Sequence, residues 1–106
     1  MSVELYGPWS ANGFLYLSAL DSAAGRSFLE TPLFTLTSLN LNGIRSATSK
    51  GLEAWLEKHA PDALCVQEVK AQAPDVAGKF EALAGLQGYF HFAEKKGYSG
   101  VGVYIR

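Results

Sequence analysis

The sequence predicts an α/β fold, and three observations predict it. Two short runs without a charged member, Leu33 to Leu39 (LFTLTSL) and Ala63 to Gln67 (ALCVQ), have the composition of strands. Between them Leu52, Trp55, Leu56 and His59 recur at i, i+3, i+4 and i+7, the apolar stripe of a helix. Two further strand-like runs, Tyr89 to Ala93 and Ser99 to Ile105, close the chain.

The N-terminal 32 residues differ from the rest. They hold one cation and three acids, against eight cations and seven acids in residues 33 to 106, and Thr31 and Pro32 punctuate the change. An extension of uncertain, weak order is therefore expected over residues 1–32, with the domain proper over 33–106. Leu5 to Leu20 carries no formal charge, but Gly7, Pro8, Ser10, Asn12 and Gly13 interrupt it, so it is too short and too broken to span a membrane. Glu4 stands where a secretory signal needs a basic start.

The first strand of the domain stops at the turn-forming cluster Asn40, Asn42 and Gly43. Thr48 or Ser49 then caps a helix of about three turns that Pro61 ends. ALCVQ is apolar enough to be a strand covered on both faces, with Glu68 at its C-terminal end. Pro74 suits the first turn of a second helix, striped by Val76, Phe80 and Leu83 and stopped at Gly85. The last two strands are expected to form a hairpin through Glu94, Lys95, Lys96 and Gly97.

Nine Lys and Arg against ten Asp and Glu leave a net charge of −1, which excludes a histone-like coat protein but not an enzyme acting on nucleic acid. Cys65 is the only cysteine and lies in an apolar run, so it reads as a buried thiol of a reduced, intracellular (cytoplasmic) protein.

The first strand, helix and second strand form a βαβ unit, whose crossover makes the strands parallel if they share a sheet. Asn40 and Glu68 then reach the same rim, where open α/β sheets place their sites. A carboxylate beside an amide suits a hard cation such as Mg²⁺, which takes only one or two carboxylates and can neutralise a phosphodiester oxygen. The same two residues would equally serve as a turn cap and a solvated strand end.

The segment SLNLNGIRSATSKGLEAWLEKHAPDALCVQEVKA, together with GYSGVGVY, closely resembles the N-terminal part of exodeoxyribonuclease III and the apurinic/apyrimidinic endonucleases of the endonuclease/exonuclease/phosphatase superfamily. The match runs from Leu33 to Arg106, well under half of the family's catalytic domain. It implies the N-terminal part of a two-sheet α/β sandwich of DNase I-like type, incomplete in this chain. It implies hydrolysis of DNA phosphodiester bonds in base excision repair, dependent on Mg²⁺ (or Mn²⁺), with double-stranded DNA carrying abasic sites or 3′ ends as partner. By the same resemblance Asn40 and Glu68 are catalytic and belong to the metal site, Arg45 and Lys50 contact phosphates, and Tyr98 approaches the DNA groove. Lys50 is expected at a helix start, where free N–H groups also favour phosphate. Asn42 stands where relatives often carry Asp and lacks that charge. Lys70 adds local positive potential or is merely exposed.

The family's water-activating Asp with an Asn two residues on, its C-terminal His with a paired Asp, and its mid-domain Tyr do not occur in this sequence. His59 and His91 read as structural. The chain alone is expected to be inactive and to need the missing C-terminal portion of the domain. In the family two sheets pack face to face, so the face formed by Val101, Val103 and Ile105 is expected to need a cover. Two other readings stay open: a non-catalytic remnant that binds DNA weakly, and a superfamily phosphatase or nuclease acting on another phosphoester.

Overall fold

Extended segments rich in aliphatic and aromatic residues satisfy their backbone groups by pairing laterally. The structure, a computed structural model describing residues 2–10, 13–21 and 34–106, arranges them as one sheet in the order β2 (Gly13–Asp21), β1 (Ser2–Ser10), β3 (Thr35–Asn40), β4 (Ala63–Gln67), β7 (Val101–Ile105), β6 (Leu86–His91) and β5 (Ala82–Leu83). Strands β1 (Ser2–Ser10) and β2 (Gly13–Asp21) pair antiparallel, and β1 runs parallel to β3 (Thr35–Asn40). Part of the N-terminal extension is therefore strand. The division expected at residue 32 falls within residues 22–33, outside the described residues.

Strand β3 lies parallel to β4 (Ala63–Gln67), with Asn40 opposite Gln67. Their crossover holds two helices where the sequence predicted one, α1 (Ile44–Ser49) and α2 (Leu52–His59). Thr48 and Ser49, expected as caps of α2, are instead the last residues of α1. The residue before α2 is Gly51, at φ 101°, a conformation that a β-carbon would strain.

The helix expected after Pro74 is shorter than its apolar spacing suggested. Helix α3 (Ala73–Val76) is a single turn, opened by a capping box between Gln72 and Asp75. The chain leaves helical geometry at Ala77 (ψ 125°) and turns at Gly78 (φ 73°), so Leu83 belongs to strand β5 (Ala82–Leu83). Strands β6 (Leu86–His91) and β7 (Val101–Ile105) then pair antiparallel as expected, and β7 also pairs antiparallel with β4.

The core lies on one face of this sheet. Leu39, Leu64, Val66 and Tyr104 from the strands meet Ile44, Ala47, Leu52 and Leu56 from α1 and α2, all essentially without solvent exposure. Each fully buried leucine contributes about 1.5 to 3 kcal/mol. Phe90 packs edge-on against Tyr104, and the two positions paired with them must carry no side chain. A β-carbon at Gly102 would lie 2.6 Å from Phe90 Cδ1, and one at Gly88 would lie 2.7 Å from Tyr104 Cε1. The other face carries Leu36, Cys65, Tyr89, Val101, Val103 and Ile105, which strand alternation places together. Among the described residues ALCVQ is thus covered on one side only. Leu64 and Val66 are buried, whereas Cys65 is a half-buried free thiol, since no described helix packs on its side. Among the described residues no helix is long and apolar enough to cross a membrane.

Candidate active site

The site forms where β3 and β4 end side by side. Parallel pairing brings Asn40, the last residue of β3, next to Glu68, the first residue after β4, and the Asn40 Nδ2 amide donates to Glu68 Oε2. The Asn40 Oδ1 oxygen accepts from the Asn42 backbone N–H at 3.0 Å, closing an Asx turn. Both ends of the amide are thereby oriented, because a flipped group would set its oxygen against a carboxylate. Asn40 acts on Glu68 as a holder, and one lone pair of its carbonyl remains open to a cation.

Beyond the strand ends the backbone ladder continues across three connections. Gly43 N and Ile44 N donate to the carbonyls of Glu68 and Val69 at 2.8 and 2.9 Å. Val69 N and Lys70 N donate in turn to Gly100 and Ser99 at 3.0 and 2.7 Å. The same connections hold unusual backbone angles. Asn42, Glu68, Lys70 and Ser99 all sit near φ 50°, a left-handed region that costs a residue with a β-carbon on the order of 1 kcal/mol or more and that gathers at functional sites. Buried Leu41, Ile44 and Val69 anchor the connections from the core side.

Lys70 is the member of the site that sequence reasoning left undecided. Its ammonium donates to Asn42 Oδ1 at 2.9 Å and lies 3.5 Å from Glu68 Oε1. The spacing of Glu68 and Lys70 gave no such signal, since in an ordinary extended chain residues two apart share a face without converging on a third group. The left-handed turns at both positions bring them together.

The remaining candidates lie around this centre. Arg45, in α1 and largely exposed, reaches the Lys70 carbonyl at 3.4 Å and Asp75 at 4.0 Å. Lys50 follows the end of α1 instead of opening α2, its N–H accepted by Ser46 and Ala47 at 3.1 and 3.2 Å. Lys50 therefore offers a phosphate its side-chain charge but no free helix-start N–H. At the start of α1, the Gly43 and Ile44 N–H groups are already occupied by the Glu68–Val69 carbonyls. The Tyr98 ring is 58% exposed and does not pack in the core, and Lys95 Nζ sits 4.2 Å above its centroid. His59 Nδ1–H donates to the Trp55 carbonyl at 2.9 Å and the ring stacks on that of Trp55, a structural role. A depression of about 280 Å³ lined by His91, Phe92, Glu94, Ser99 and Val101 lies beside the site and does not include Asn40 or Glu68.

One carboxylate with an adjacent amide oxygen matches what a hard divalent cation such as Mg²⁺ accepts from a protein, so the residues present fit such an ion. Glu68 would hold it and Asn40 would fix the carboxylate. Bound there, the ion would supply charge neutralisation and polarisation at a phosphate.

Residues 37–106 match the family described as Endonuclease/Exonuclease/phosphatase family. A DNA-(apurinic or apyrimidinic site) endonuclease of Dictyostelium discoideum is 37% identical over 68 residues, which are 64% of this chain and 19% of that protein. The catalytic domain of APE2 from Xenopus laevis superposes with a TM-score of 0.57 at 33% identity, over 67% of this chain and 23% of that one. An AP endonuclease from Archaeoglobus fulgidus gives 0.56 at 30% identity, over 66% of this chain and 26% of that one.

Proposed function

The chain belongs to the endonuclease/exonuclease/phosphatase family, and from that premise we propose that it is the cation-holding N-terminal part of a DNA phosphodiester hydrolase acting at apurinic or apyrimidinic sites. The observation that carries this reading is the Asn40 to Glu68 contact at the rim of two parallel strands. It holds a single carboxylate in place for Mg²⁺, or Mn²⁺, beside exposed Arg45 and Lys50, which offer charge to DNA phosphates, and Tyr98, which offers a ring to the groove. In this reading Glu68 is the metal ligand and Asn40 its positioning residue. Activation of the attacking water falls to the part of the domain that the relatives carry beyond the matched segment. The half-buried free thiol of Cys65 suits a reducing, intracellular setting.

The test is incision of a labelled abasic duplex with Mg²⁺. The chain is assayed alone, with the C-terminal portion of a family member added, and with Glu68→Gln in both settings. No incision is expected from the chain alone, and cutting that appears on complementation should fall by about two orders of magnitude or more in Glu68→Gln. Incision by the chain alone would refute the division of labour, and complementation indifferent to Glu68 would refute the site. A binding module without catalysis is the second reading, favoured by the single carboxylate at the rim. It requires retention of the abasic duplex that Glu68→Gln leaves unchanged.

A further inference from the structure

We propose that Lys70 is an internal cation of the site, occupying the side of Glu68 that a divalent ion needs and thereby lowering the affinity of the site for metal; the inference rests on the metal-site reading given above. Glu68 has both oxygens engaged, Oε2 by the Asn40 amide and Oε1 by the Lys70 ammonium at 3.5 Å. The two contacts are unequal in kind. The amide is neutral and belongs to a turn closed on both sides, whereas the ammonium is a full charge on a flexible stem. Lys70 does not approach Glu68 by chance of an extended side chain. Its backbone is fixed by the Lys70 N–H to Ser99 and by Arg45 on its carbonyl, and its Nζ is fixed a second time by Asn42 Oδ1.

The charges then balance. Glu68 carries −1 and Lys70 +1, and Arg45, which reaches the Lys70 carbonyl, faces Asp75. A site whose carboxylate is already neutralised attracts a divalent ion weakly until the ammonium withdraws. The Lys70 side chain, 38% exposed, has solvent to withdraw into. Asn42 adds a neutral acceptor to this arrangement. As an amide it accepts from Lys70 without adding the negative charge that would restore attraction for metal.

The experiment is Mn²⁺ binding, followed by loss of the free-ion electron paramagnetic resonance signal, in the chain and in Lys70→Met, Lys70→Gln, Lys70→Arg and Glu68→Gln, each checked for retained secondary structure by circular dichroism. Removing the charge in Lys70→Met should tighten Mn²⁺ binding roughly tenfold, since one positive charge beside a divalent ion is removed at a half-exposed site. Lys70→Gln should do the same, and Lys70→Arg, which keeps the charge, should leave affinity within about threefold of the parent. If the parent binds too weakly to measure, binding that appears in Lys70→Met or Lys70→Gln supports the proposal, and none in either overturns it. Unchanged or weaker binding in both neutral variants also overturns it, and would make Lys70 a support of the Glu68 carboxylate. Loss of binding in Glu68→Gln without tightening in the Lys70 variants defeats this inference alone. Mn²⁺ binding that ignores Glu68→Gln defeats the metal site itself.

Discussion

The two faces of the sheet are built from similar residues and differ in what lies against them. Leu39, Leu64, Val66 and Tyr104 are buried to within 1% because they share one core with α1, α2 and the Val76–Leu86 segment, whose Phe80 carbonyl receives the Tyr104 hydroxyl. On the opposite face Tyr89, Val101 and Ile105 remain 60, 49 and 46% exposed although they pair in register with the same strands. Strand composition therefore chose the sheet, and the helices chose which face became a core. The candidate site straddles this difference. Asn40 shares the open side with Ser38 and Leu36, while Leu39, Leu41 and Val69 fasten its loops to the closed side.

Substitutions can break or sharpen this contrast. The largest effect is expected from Leu64→Ala on the closed face, which should destabilise the chain by about 2 to 5 kcal/mol in urea unfolding, because the cavity cannot be refilled by solvent. A loss near zero would mean that the helices do not seal that face.

Tyr104→Phe should cost about 1 to 3 kcal/mol, since it leaves the Phe80 carbonyl without the phenol that donates to it. This residue also gives the contrast a pH signature. Burial raises the Tyr104 pKa above the ordinary value of 10.0. Unfolded, the phenol ionises near pH 10, whereas folded it keeps its proton to higher pH. Its stabilisation is therefore complete below about pH 10 and is lost as pH rises from there toward the folded value. Unfolding midpoints measured from pH 8 to 11 should fall in the parent and fall less in Tyr104→Phe.

The smallest effect belongs to the open face. Ile105→Thr keeps a β-branched residue in β7 and should change stability by no more than about 0.5 kcal/mol. A loss comparable to that of Leu64→Ala would show that the open face is covered in solution.

Much of this was legible in the sequence because the βαβ crossover is a topological rule as well as a local preference. Two apolar runs flanking one helical stripe were enough to bring Asn40 and Glu68 to one rim. What escaped was local and short. Helix α1 has six residues and no apolar stripe of its own, so Thr48 and Ser49 looked like caps instead of its final turn. The positions Val76, Phe80 and Leu83 keep helical spacing, but the turn at Gly78 hands Leu83 to a strand. Lys70 escaped for a different reason. Its contact with Asn42 spans 28 positions and depends on left-handed backbone at Glu68 and Lys70, which no local pattern encodes.

The lateral hydrogen bonds that run on past the strand ends have a mechanical outcome. The Asn40–Ile44, Glu68–Lys70 and Ser99–Gly100 segments are stitched edge to edge, so a load applied at the Tyr98 turn is passed sideways to Glu68 within two backbone links. Under the proposed function, a duplex leaning on that turn would shift the acid and its neighbours as a single stiff lip.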